Sequence, residues 1–117
     1  MKKINNLFKL DSRAAIYVPS TIDGNKAASG LAEKMVEQTA ARLSELFGGA
    51  TISLAAGAWM SAEHGLIREQ ITIVYSYCTA EQLDQHTDEV IEIAEHIKEE
   101  MRQEAVSVEI NNALYFV

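Results

Sequence analysis

Two hydrophobic rhythms alternate along the chain, and the places where one gives way to the other mark its elements. Residues 14–19 (Ala-Ala-Ile-Tyr-Val-Pro) form a short β-prone run closed by Pro19, which has no amide to give to a ladder. Ser20 to Ser29 holds Asp-Gly-Asn and reads as a loop. From about 28 to 47 the period lengthens: Leu31, Met35, Leu43, Leu46 and Phe47 recur at three, four and eight, with Thr39 in the gap, which predicts a helix. Gly48-Gly49 ends it, because glycine takes the left-handed C-cap conformation without steric cost.

Strict alternation follows. Ala50 to Met60 puts Ile52, Leu54, Ala56, Ala58 and Met60 on one face. Leu66 to Cys78 puts Ile67, Ile71, Ile73, Tyr75 and Tyr77 on one face and Leu66, Val74 and Cys78 on the other, with Ser61 to Gly65 as the hairpin connection. A second helix starts at Thr79, whose hydroxyl caps while Gln82, three residues on, reaches back. Its apolar face is Leu83, Val90, Ile93, Ala94, Ile97 and Met101. Val106 to Ile110 and Ala113 to Val117 flank Asn111-Asn112, a tight hairpin, since asparagine tolerates positive φ.

The order strand, helix, strand, strand, helix, strand predicts a ferredoxin-like βαββαβ domain of the α+β class. It has an antiparallel sheet with two helices on one face and a C-terminal hairpin extension. Residues 14–117 make this single domain, and the polar, mixed residues 1–13 are expected to be a mobile N-terminal arm. The third strand is long and apolar on the face away from the helices. A sheet left open there is sticky, and homodimerisation through it is expected.

Composition narrows the classes. A length of 117 residues is one domain, able to bury roughly two thirds of its unfolded surface. One cysteine, Cys78, excludes an internal disulfide and a multi-cysteine zinc site, and fits a reducing cytoplasm. The start, Met-Lys-Lys-Ile-Asn-Asn-Leu-Phe-Lys-Leu-Asp, is too polar for an export signal, and no run approaches a membrane span. A formal charge of −7 argues against direct contact with nucleic acid or an anionic membrane.

That charge is segregated. Nine acids and two bases lie between Glu81 and Glu104, whereas the rest of the chain balances. At about 100° per residue, Glu81, Asp84, Asp88, Glu92, Glu95 and Glu99 fall within about 80° of one another, opposite the apolar face. Like charges one turn apart repel by a few tenths of a kcal/mol per pair, and no lysine relieves the stripe. Lys98 and Arg102 come only at its end, where they suit the helix dipole. Carboxylates in a row can imitate a nucleic-acid backbone and fill a basic groove on a protein partner. The plainer reading is a solvated exterior that keeps a small protein in solution.

Other candidates are weaker. His86 and His96 lie ten residues apart, about 15 Å along the axis, and cannot share an ion; His64 sits in the hairpin beside Glu63. Each histidine is read as packed or solvent-facing, so no metal and no cofactor is expected. Cys78 precedes a helix N-terminus, where a thiolate can be stabilised, but without a base or oxyanion donors it reads as a buried apolar side chain. No catalytic residue is assigned. Trp59, the only tryptophan, together with Arg68 and Glu69, has the composition of an interface hot spot or ligand rim; a structural plug over the hairpin fits equally.

Three stretches, Ile16-Tyr17-Val18-Pro19-Ser20-Thr21, Leu46-Phe47-Gly48-Gly49-Ala50-Thr51 and Gly57-Ala58-Trp59 with Gly65-Leu66-Ile67-Arg68-Glu69, resemble a family of small uncharacterised cytoplasmic proteins of Gram-positive phages, plasmids and integrative elements. The motifs are turn glycines and strand residues, so they imply homology over residues 14–117 and no site. The resemblance implies a mobile-element context, in which small acidic proteins often inhibit host defence. The expectation is therefore an anti-CRISPR or other anti-defence binding protein. Its acidic stripe occludes a basic nucleic-acid-binding surface of a nuclease, with Trp59 and Arg68 fixing orientation. The alternative is a dimeric ferredoxin-like small-ligand binder or cofactor-free enzyme.

Overall fold

The computed structural model describes residues 2–22 and 26–117. Its chain order is β1 (Ser12–Pro19), β2 (Thr21–Ile22), β3 (Lys26–Ala27), α1 (Ser29–Phe47), β4 (Thr51–Ser61), β5 (Gly65–Cys78), α2 (Ala80–Glu100), β6 (Ser107–Ile110) and β7 (Ala113–Phe116). The first strand starts two residues before the β-prone run, because Ser12 and Arg13 pair with Cys78 and Tyr77 of β5. Part of the expected loop at 20–29 forms a two-strand ladder, Thr21–Ile22 with Lys26–Ala27; Asp23-Gly24-Asn25 of that expected loop lie outside the described residues. A 3-10 turn at Lys3–Asn6 precedes β1, and Ile4, Leu7 and Phe8 of this arm stand exposed.

Five strands form one antiparallel sheet in the order β4-β5-β1-β6-β7. This is an α+β fold with a five-stranded antiparallel sheet and two helices. The alternation of β1 sorts its side chains between two environments. Ser12, Ala14, Ile16 and Val18 are buried on one face beside Val74, Cys78 and Val108. Met35, Leu43 and Phe47 of α1 and Leu83, Val90, Ile93 and Ile97 of α2 close that face. Each fully buried Leu, Ile or Met side chain contributes about 1.5–3 kcal/mol relative to exposure.

Local chemistry sets the ends of the helices. Gly48 stops α1 with φ +95°, its amide bonded to the Ser44 carbonyl at 2.7 Å. Thr79 caps α2: its hydroxyl accepts from the Gln82 amide at 3.1 Å, and the Gln82 side-chain oxygen accepts from the Thr79 amide at 2.9 Å. Thr79→Ala is expected to lower unfolding stability by about 1 kcal/mol in urea titration, the usual worth of such a cap. At the other end Arg102 adopts φ +51°, so α2 stops without a glycine. Asn111 turns the last hairpin at φ +54°; its amide donates to the Arg13 carbonyl and its Oδ1 accepts from the Arg13 amide at 2.9 Å.

The β4–β5 hairpin outruns the helices. Leu54 shares a face with the buried Val74, yet it is 85% exposed, and Met60 and Leu66 farther out are exposed too. The molecule is correspondingly elongated, 56 Å by 27 Å by 21 Å. No helix among the described residues is long and apolar enough to cross a membrane.

Candidate functional site

The sheet face away from the helices is uncovered, and it holds most of the chemistry that the fold brings together. Register places Arg13, Ala15 and Tyr17 of β1, Ile71, Ile73, Tyr75 and Tyr77 of β5, Ser53, Ala55 and Gly57 of β4, and Glu109 of β6 on it. Tyr75, Tyr77 and Ile71 therefore do point away from the helices.

At the centre of the face a polar network joins β1, β5 and β6. The Tyr17 hydroxyl donates to Glu109 Oε1, and Glu109 Oε2 lies 3.5 Å from Arg13 Nε. The Arg13 guanidinium rests over the Tyr75 ring, 4.0 Å from its centroid, and Tyr75 meets Tyr77 edge-on at 5.9 Å. Donation to a carboxylate raises the Tyr17 pKa above its ordinary value, and burial and the Glu109 charge add to the shift. Tyr17 therefore stays a neutral donor at physiological pH, locked to Glu109. Ala15 is fully buried beneath this cover although it faces away from the core.

Along the hairpin the same face turns apolar, with Trp59, Ile67 and Ile71 around one carboxylate, Glu69. Gly57 stands directly opposite Glu69, and the carboxylate side chain leans over it: a Cβ at Gly57 would lie 3.5 Å from Glu69 Cγ and 3.7 Å from its Oε1. Among the described residues Glu69 makes no ion pair. The face thus carries two acids in different states, Glu109 held by Arg13 and Tyr17, and Glu69 open to a cation.

Trp59 and Arg68 are not brought together. Trp59 pairs with Ile67 and Arg68 with Ala58, so alternation sends them to opposite faces of the hairpin. On its own face Trp59 has Ile67 directly opposite and Glu69 diagonal across the ladder, about 7–8 Å away at the backbone. Trp59 is 53% exposed, so it is no plug within a single chain.

All six carboxylates of the α2 stripe, Glu81, Asp84, Asp88, Glu92, Glu95 and Glu99, are exposed, and among the described residues none forms an ion pair. The stripe lies on the helix layer, on the far side of the sheet from the tyrosines. The histidines are dispersed: His86 Nδ1 lies 2.6 Å from Glu89 Oε1 and its ring meets Phe47 edge-on, whereas His64 lies 3.7 Å from Glu63. Among the described residues no three His, Cys, Asp or Glu side chains gather closely enough for a metal. Cys78 is fully buried, and burial first, then the nearby Asp11 charge, pushes its thiol pKa up. That is the setting of an inert thiol rather than a nucleophile.

Sequence alone groups Glu69 with Trp59 and Arg68 but assigns a binding role only to those two. The signal was the two-residue alternation that puts Glu69 with Ile67 and Ile71, a charge inside an apolar row. The Arg13–Tyr17–Glu109 network had no such signal, because Tyr17 and Glu109 are 92 residues apart.

No protein-family profile matches the sequence, and no curated protein matches it. Solved structures do match in backbone. A phage SAM lyase in complex with S-methyl-5′-thioadenosine superposes with a TM-score of 0.63 at 20% identity, over 95% of this chain and 92% of the other. A phage SAM lyase in the apo state gives 0.64 at 21%, over 95% and 94%. CutA from Synechococcus elongatus gives 0.50 at 16%, over 95% and 80%. At these identities the likeness is one of fold.

Proposed function

We propose that this chain is a ferredoxin-like small-ligand protein that self-associates through the uncovered sheet face, and that its substrate is a sulfonium nucleoside of the S-adenosylmethionine class. The observation that carries this reading is the open carboxylate of Glu69 in an apolar, aromatic row on a face that has no cover. Exposed apolar rows of this kind favour association. Once a second copy covers the row, an unpaired carboxylate there becomes costly, several kcal/mol without a counter-charge. A cationic ligand supplies that counter-charge. S-adenosylmethionine carries a sulfonium and an ammonium, and a tryptophan ring face such as that of Trp59 attracts such cations.

The end-to-end backbone likeness to a phage SAM lyase supports the same substrate class. Lyase chemistry on a sulfonium suits such a site. The carbon–sulfur bond breaks with its electron pair going to sulfur while the substrate's own carboxylate oxygen bonds to that carbon and closes a lactone, so the leaving group is a neutral thioether and no proton has to move. The protein's part is to hold the ammonium at Glu69, orient the sulfonium against the Trp59 ring and exclude water.

Purified protein incubated with S-adenosylmethionine is expected to release S-methyl-5′-thioadenosine, read by mass spectrometry. Glu69→Gln, which keeps shape and removes charge, is expected to lower the rate by roughly 100-fold or more. If the folded, associated protein neither consumes nor binds S-adenosylmethionine, the reading fails. A variant with unchanged rate would take Glu69 out of the site and, with it, the observation on which this reading rests.

The exposure of the α2 stripe favours a second reading, the anti-defence one. The six carboxylates occupy a basic nucleic-acid-binding groove of a host nuclease, steered there by long-range attraction. Replacing Asp88, Glu92 and Glu95 by lysine would then abolish capture of the partner while leaving turnover of the sulfonium untouched. Capture that survives the change, or that is insensitive to salt, counts against it.

A further inference from the structure

The helix layer contains a groove that neither reading uses. It lies between α1 and α2, has a volume of about 410 Å³, and is lined by Met35, Gln38, Thr39, Arg42, Ile93, His96 and their neighbours Ala41 and Ile97. Its floor is apolar, made by the buried side chains of Met35, Ile93 and Ile97. Its rim is polar and lopsided in charge. Gln38 and Arg42 stand one turn apart on α1, His96 faces them from α2, and among the described residues no carboxylate lines it. This holds although α2 is the most acidic element of the molecule.

Arg42 is exposed and makes no ion pair among the described residues, although Glu45 stands one turn farther along α1. An apolar trough with an available guanidinium at its lip and no acid among its lining residues is complementary to one kind of small molecule. We propose that this groove binds a small organic acid whose apolar body lies on Met35, Ile93 and Ile97 and whose carboxylate meets the Arg42 guanidinium. Arginine presents a planar fork that matches a carboxylate through two parallel hydrogen bonds, which selects that head group over an alcohol. The volume falls within the range of small-molecule clefts, about 300–1,000 Å³. The groove lies on the opposite side of the sheet from Glu69 and Tyr75, so it stands whether or not the sulfonium reading does.

Octanoate serves as the probe, titrated into the full-length protein labelled at methionine and isoleucine methyl groups and followed by NMR. Saturable shifts are expected at Met35, Ile93 and Ile97. 1-Octanol, with the same tail and no charge, is expected to bind about tenfold more weakly, the scale of one charge-assisted hydrogen bond. Arg42→Glu is expected to weaken octanoate by at least that factor, with Arg42→Lys intermediate; the position is exposed, so folding is spared. His96→Glu, on the facing wall, should weaken it as well. Equal affinity for acid and alcohol, an Arg42→Glu variant that binds normally, or shifts confined to the open sheet face would each overturn the assignment.

Discussion

Replacing Ile73 by aspartate is expected to leave the domain folded and to abolish the self-association proposed above. Ile73 lies in the middle of β5, opposite Tyr17 of β1 and Ser53 of β4, on the face that the helices leave bare. It is only half-buried within one chain. A carboxylate there can stay hydrated in the monomer but must shed its water when a second copy covers the sheet. A buried charge without a partner costs several kcal/mol, and each 1.4 kcal/mol is tenfold in affinity. The dissociation constant should therefore rise by roughly 100-fold or more, read by sedimentation velocity over a concentration series. Circular dichroism serves as the control for folding. An assembly that persists unchanged would place the contact elsewhere, at the exposed apolar edges of β4 and β7, and the covered-site reading of Glu69 would lose its premise.

Leu43→Ala tests the other side of the sheet and is expected to have the largest effect on stability. Leu43 is fully buried, one turn before the Gly48 stop of α1, among Met35, Phe47 and the strand side chains Ile16 and Val74. Truncation removes the transfer energy of two methyls and a methine and leaves a cavity that a close-packed interior closes only in part. The cost of such substitutions is about 2–5 kcal/mol. For a domain of this length that lowers the melting temperature by about 10 °C or more. By contrast, Glu95→Ala on the acidic stripe should shift stability by no more than about 0.5 kcal/mol, as exposed positions do. Calorimetry on the two variants separates a residue that holds the fold from residues available to a partner.

Most of the secondary structure was legible because it is written in short-range periodicity. The four-residue beat from Leu31 to Phe47 and the two-residue beat from Leu66 to Cys78 each follow from the geometry of one element. Caps and turns were legible for the same reason. Thr79 with Gln82, Gly48 and Asn111 act within a few residues of themselves, and each sits where its local chemistry requires. The boundaries that moved did so through pairing. Ser12 and Arg13 joined β1 because β5 is long enough to meet them, and Thr21–Ile22 found a ladder partner across a predicted loop.

The candidate site was less legible. Alternation alone separates Trp59 from Arg68 in direction, yet their closeness in sequence suggested a single cluster. Glu69 looked like one charge among several until the register set it opposite Gly57 and beside Trp59.

Sequence by itself determined the elements, the two faces of each strand and the acidic exterior of α2, since these depend on contacts within a few residues. Only the tertiary structure decided that Arg13, Tyr17 and Glu109 interlock, that Glu69 leans over Gly57 with Trp59 diagonal to it, and that Arg42 and His96 share a groove. Those groups lie on separate strands and helices, and which of them meet depends on strand order and helix packing that no local pattern encodes.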